Sequence, residues 1–124
     1  MFFIRVTWKE CDCMTEEKIQ EVVKLFTAEA KMIYGAALRG VILYGSCARG
    51  DFEQDSDIDI MVLLDSPVEK INEERKKILD ASDRLDLTYD VVLTPVFQNY
   101  QQFQHYMPVS KFYQNVQKEG IQFA

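Results

Sequence analysis

Two short apolar runs, Val41-Ile42-Leu43-Tyr44 and Ile58 to Leu64, most constrain what this chain can fold into. Each is too short for an ordinary helix, is rich in β-branched residues and lacks polar alternation, which is the pattern of a strand buried on both faces. The first stops at Gly45-Ser46. The second opens inside an acidic cluster, Asp51 to Asp59, and ends at Asp65-Ser66-Pro67. A hairpin-like return between them predicts antiparallel neighbours and brings Gly45-Ser46 against Asp57 and Asp59.

The flanking segments supply layers for such a sheet. From Thr15, a plausible N-cap followed by Glu16 and Glu17, apolar residues recur at helical steps: Ile19, Val22, Val23, Phe26, Ala30, Ile33 and Ala37. That predicts an amphipathic helix of about five turns. Glu69 to about Arg84 reads as a charged surface helix with Ile71, Ile78, Leu79 and Ala81 inward, and a third strand is expected from about Leu85 to Val96, closed off around Pro95. A crossover through that helix lays the third strand parallel to the second. The tail from Gln98 to Gly120 reads as helical, broken at Pro108 and capped at Gly120. Phe103, Tyr106, Phe112, Tyr113 and Val116 are its packing candidates, or a docking surface. The fold class expected is α/β (α+β), a short mixed sheet flanked by helices, in one domain over 15–124. Residues 1–14 form an N-terminal extension, and a chain starting at Met14 is expected to fold.

Composition narrows the function. A length of 124 residues leaves room for one core, and a net charge of -6 without clustered Lys and Arg argues against a nucleic-acid surface. The apolar start, Met1 to Val6, is too short for a signal-peptide core, and no run long enough to span a membrane occurs, so a cytoplasmic protein is expected. Cys11, Cys13 and Cys47 read as reduced thiols, since Cys11-Asp12-Cys13 has no second Cys/His pair to complete a soft-metal site.

The chemistry concentrates between residues 43 and 60. A strand running into Gly45-Ser46 lets backbone approach a phosphate, with the serine hydroxyl as a further donor. A short helix beginning there would add its free N–H groups. Asp57 and Asp59 stand two apart at the start of a strand and share a face, where like charges call for a cation. Hard oxygen ligands on a rigid strand suit Mg²⁺ shared with substrate phosphates. The bland reading of the acidic cluster is a solvated loop. Asp59 resists it, because it stands between Ile58 and Ile60 in a buried run. Asp86 and Asp90 share one face of the expected third strand, and either could add a third carboxylate to a two-metal site. Arg49 either grips phosphate or pairs with Asp51, Glu53 or Asp55. Cys47 reads as packing, and His105 as a packed or solvated residue.

Gly45-Ser46, ten intervening residues and Asp57-x-Asp59 resemble the signature of the polymerase-beta-like nucleotidyltransferase superfamily. The fuller Gly45-Ser46-Cys47-Ala48-Arg49-Gly50 with Ser56-Asp57-Ile58-Asp59 resembles its minimal branch, and the resemblance covers roughly Lys18 to Val96. It implies that fold, two Mg²⁺ ions, and transfer of AMP from ATP to a hydroxyl with release of pyrophosphate. Asp57, Asp59 and Asp90 would be the metal-binding catalytic carboxylates, with Asp90 preferred over Asp86, and Gly45, Ser46 and Arg49 would bind the nucleotide. Minimal relatives are often paired with a HEPN-domain toxin and adenylylate one of its tyrosines, so an antitoxin with such a partner is expected. The other class of reading is a nucleotide-binding antitoxin that neutralises its partner by contact.

Overall fold

The computed structural model describes residues 13–124; Cys11 and the rest of the extension before residue 13 lie outside it. The first helix, α1 (Glu16–Tyr34), begins where its cap is: Thr15 is extended and its hydroxyl accepts the Lys18 N–H at 3.1 Å. Ile19, Val22, Val23, Phe26, Ala30 and Tyr34 are its buried stripe, and Gly35, at φ 55, ends it. Met14 is buried in the same core, and its N–H donates to the Gln54 side chain at 2.8 Å.

The two apolar runs form β1 (Leu38–Tyr44) and β2 (Ile58–Leu64), paired antiparallel from Leu38↔Leu64 to Tyr44↔Asp59. Between them lies only a one-turn helix, α2 (Ser46–Arg49), and a loop. The third strand, β3 (Leu93–Asn99), runs parallel to β2 with Ile58 opposite Leu93 and Asp59 opposite Thr94. A two-residue strand, β4 (Ile121–Gln122), adds to the far side of β1, giving the order β3-β2-β1-β4. So short a strand leaves no periodicity to read in the sequence.

Between β2 and β3 the structure departs from expectation. The single helix over 69–84 is two pieces, α3 (Ile71–Lys76) and α4 (Leu79–Tyr89), after a 3₁₀ turn at Val68–Lys70. Helical spacing continues beyond Arg84, with Ile78, Ala81 and Ser82 buried and Leu85 and Tyr89 packed against the core. The strand expected from Leu85 therefore starts at Leu93. It also runs through Pro95 instead of stopping there, because β3 is an edge strand and a missing N–H on its open side breaks no ladder.

Alternate residues of the sheet face two separate layers. Val41, Leu43, Ile58, Ile60, Val62 and Leu64 join the α1 stripe, Ile78 and Ala81 in one cluster. Ile42, Met61 and Leu63 join Phe103 of α5 (Tyr100–Tyr106) and Val116 of α6 (Lys111–Glu119) in another. The tail is thus helical and broken around Pro108, as expected, and it closes the second face of the sheet. Among the described residues, no helix is long and apolar enough to cross a membrane.

Candidate active site

Gly45 is the turning point between β1 and α2. Its φ of 78 and ψ of -158 lie where residues with a side chain rarely go, and its carbonyl accepts the N–H groups of Ala48 and Arg49 at 3.0 and 3.1 Å. The register of β1 with β2 sets Tyr44 opposite Asp59, so the turn lies over that carboxylate. A Cβ added at Gly45 would fall 2.5 Å from Asp59 Oδ2, so any other residue there must displace that carboxylate. The glycine is required twice, by backbone conformation and by contact.

Asp57 precedes β2 and is exposed, whereas Asp59 lies within the strand and is half-buried. Its neighbours Ile58 and Ile60 point into the α1 core, so the Asp59 carboxylate faces the α5/α6 side, at the end of the sheet. Asp59 Oδ1 accepts the Thr94 hydroxyl across the strand pair at 2.7 Å. Cys47 is buried in the core, and its thiol donates to the Asp57 carbonyl at 3.4 Å. Burial pushes that thiol's pKa up, and the Asp59 charge adds to the shift. Cys47 is therefore a packing residue held in its neutral form, as its position suggested. Tyr44 is likewise held as the phenol, chiefly by burial and then by Asp59.

The third carboxylate does not arrive. Asp90 is not on a strand: it is the left-handed cap of α4, at φ 55 and ψ 53, and its N–H donates to the Asp86 carbonyl. It is exposed and lines a cavity of about 280 Å³ with Met14, Gln54, Asp55, Ser56, Val91 and Val92. Asp86 sits on α4, where its Oδ1 accepts the Leu93 N–H at 2.9 Å and fixes the entry into β3. Burial raises its pKa, with that hydrogen bond working against the shift. Among the described residues, no three His, Cys, Asp or Glu side chains converge to hold a metal ion. Of the expected set of Asp57, Asp59 and Asp90, the strand placement of Asp90 is corrected to a helix cap. A helix that outlasted its expected end carried Asp90 onto its cap.

Arg49 takes the pairing expected of a loop-ordering residue. Its Nε lies 3.3 Å from Asp51 Oδ2, and its Nη1 lies 3.5 Å from Glu119 Oε1 of α6. Both pairs are exposed, so they hold the guanidinium weakly. Tyr44, Gly45, Arg49, Phe112, Asn115, Val116 and Glu119 enclose a cavity of about 230 Å³ beside the Gly45 turn. His105 is exposed and packs edge-on against Tyr106. Of the tail aromatics, Phe103 is core, while Phe112 packs edge-on against Tyr44 at 5.6 Å and remains half-exposed.

Thr94 and Glu119 were not anticipated from the sequence. The signal for Thr94 is the parallel register of β2 with β3, which needs the true start of β3; Glu119 is 70 residues from Arg49, beyond any local pattern. The donor set fits Mg²⁺ bound together with substrate: that ion commonly takes only one or two protein carboxylates beside substrate phosphates. Gly45 supplies the backbone gap that such a shared site needs.

The model of the family described as nucleotidyltransferase domain matches residues 23–121. In Methanocaldococcus jannaschii, "Putative protein adenylyltransferase MJ0141" is 36% identical over 80 residues, covering 64% of this chain and 78% of that protein. "Putative protein adenylyltransferase MJ0604" of the same organism is 33% identical over 107 residues, covering 86% and 96%. Two solved structures, a toxin–antitoxin with AMP-PNP and a mutant of the toxin–antitoxin MntA-HpeT, overlap at a TM-score of 0.49 with 22% and 20% identity, each covering 88% of this chain and 72% of the other. The family that the Gly-Ser and Asp-x-Asp elements resemble is the family shown: the chain belongs to the nucleotidyltransferase domain family and is a nucleotidyltransferase.

Proposed function

We propose that this nucleotidyltransferase transfers AMP from ATP to a hydroxyl of a protein partner, using Asp57 and Asp59 to hold Mg²⁺ and Gly45, Ser46 and Arg49 to hold the triphosphate. The observation that carries this reading is the approach of Gly45 to within a side chain's width of Asp59 Oδ2. A phosphate held at the turn is then next to a carboxylate suited to share a cation with it. Mg²⁺ bound there would neutralise charge on the reacting phosphate and the departing pyrophosphate.

The chain's own groups divide the remaining work. The first N–H groups of α2 have no partners within the helix and can donate to phosphate oxygens, with the Ser46 hydroxyl as a further donor. Arg49 can exchange its exposed pairs with Asp51 and Glu119 for two phosphate oxygens at small cost, since a planar guanidinium can grip two phosphate oxygens at once. Asp59, tied to Thr94 on one oxygen, presents the other beside Gly45.

The adenylyl group is supported by the names of the two archaeal relatives. A protein acceptor is supported by the same two names, each of which is that of a protein adenylyltransferase. A HEPN-domain toxin with a target tyrosine is the partner that the resemblance to minimal nucleotidyltransferases suggests, which makes this chain an antitoxin acting in the cytoplasm. The catalytic unit is proposed to comprise 15–124 with Met14 seated in its core, the extension before it being dispensable.

The test is incubation with Mg²⁺ and α-labelled ATP, with and without the protein encoded by the neighbouring gene, followed by intact-mass analysis. Added AMP on the neighbour, lost in Asp59→Asn, is the expected result. A tight complex and bound nucleotide with no transfer would instead favour neutralisation by contact.

A further inference from the structure

In the pairing of β2 with β3, the residue directly opposite Asp59 is Thr94. Its hydroxyl has one proton and two acceptors in reach, the Asp59 carboxylate at 2.7 Å and the Ile58 carbonyl at 3.2 Å. The shorter bond to the charged acceptor takes the proton. Asp59 is thereby gripped from both neighbouring strands: Oδ1 is tethered by β3, and Oδ2 is confined by the turn at the end of β1. A carboxylate held in this way has little rotational freedom to lose when it takes up a cation.

Neither carboxylate of this part of the chain lies on β3. Asp86 Oδ1 caps the Leu93 N–H, and Asp90 closes α4 in a left-handed conformation, beside Asp55 and Ser56. The position on β3 that faces Asp59 holds a hydroxyl.

We propose that Thr94 is a positioning residue of the catalytic centre, the contribution of the third strand, which aligns Asp59 for the metal while the centre itself is built on two carboxylates. This rests on the assignment of Asp59 as a metal ligand made above. Thr94 acts through Asp59, as outer-shell partners of metal ligands do, and their loss commonly costs about 10–100-fold in metal affinity or activity.

The test uses the full chain, with Mn²⁺ as the probe followed by electron paramagnetic resonance, beside AMP transfer and the melting temperature. Thr94→Val, which keeps the shape and removes the hydroxyl, should weaken Mn²⁺ binding about 10-fold or more and lower kcat, with KM for ATP within about 3-fold. Thr94→Ser should restore both to within about 3-fold. Thr94→Asp should tighten Mn²⁺ binding by bringing in a third carboxylate, and it keeps the proposal testable if the valine variant does not fold. Wild-type Mn²⁺ affinity in Thr94→Val, or unchanged or weaker binding in Thr94→Asp, overturns it. Asp59→Asn separates the two layers of the argument: if that variant binds Mn²⁺ like wild type, the metal assignment fails; if it loses Mn²⁺ while Thr94→Val does not, only the positioning role fails.

Discussion

The β1–β2 hairpin and the α4–β3 crossover both carry acidic residues toward the same end of the sheet, yet only the hairpin delivers them. In the hairpin, Gly45 and Asp59 belong to adjacent, directly paired strands, and their approach follows from register. In the crossover, Asp86 and Asp90 lie on a helix whose last turn decides where they go, and it takes them to the α4–β3 joint and to an exposed cap. Proximity in the chain is weaker information than membership of the same ladder. A single extra helical turn is enough to move a carboxylate from a strand to a helix cap.

The sharpest way to break this contrast is to remove charge on the two sides and compare. Asp59→Asn should lower AMP transfer by about 10²–10³-fold, several kcal/mol of transition-state charge stabilisation, with the fold intact by circular dichroism. Asp57→Asn should behave in the same direction, and retained activity in both variants would refute the metal assignment. Next in size is Gly45→Ala, which forces a Cβ against Asp59 Oδ2 and a side chain into positive φ. It should cost about 1–3 kcal/mol of stability in chemical denaturation, and should also reduce transfer.

On the crossover side the expected effects are small. Asp90→Asn keeps a residue type that tolerates the left-handed cap, and should change transfer by less than about 3-fold, roughly 0.7 kcal/mol. A loss as large as that of Asp59→Asn would restore Asp90 to the site. The smallest effect belongs to Asp86. Burial raises its carboxyl pKa above the usual aspartate range, so the folded state binds the proton more readily than the unfolded one. Stability therefore falls as pH rises from the unfolded pKa through the folded one, and the cost persists at neutral pH. Asp86→Asn, which retains an acceptor for the Leu93 N–H, should be slightly more stable than wild type at pH 7, and thermal melts should show the difference vanishing in acid.

Much of this architecture was legible in the chain because its signals are local. Thr15 as cap, the α1 stripe, β2 from Ile58 to Leu64 and the break at Pro108 each follow from periodicity or a stop residue within a few positions. Gly45-Ser46 and Asp57-x-Asp59 were legible for the same reason, since a loop of ten residues between paired strands leaves few ways to connect them. Asp86 and Asp90 were not. A spacing of four places two residues on one face of a strand and also on one face of a helix, so it could not reveal which element carried them.

The sequence by itself carried the elements of the proposed chemistry and their location: a glycine turn, a hydroxyl and two carboxylates at the joined ends of two buried strands. Only the tertiary structure decided which residue of the third strand faces Asp59, and which residue of the tail meets Arg49. Thr94 and Glu119 are set by the parallel register of β3 and the packing of α6, that is, by burial of residues dozens of positions away. Local periodicity carries no record of such distant pairings, because the free energy that selects them is gained only when the layers close.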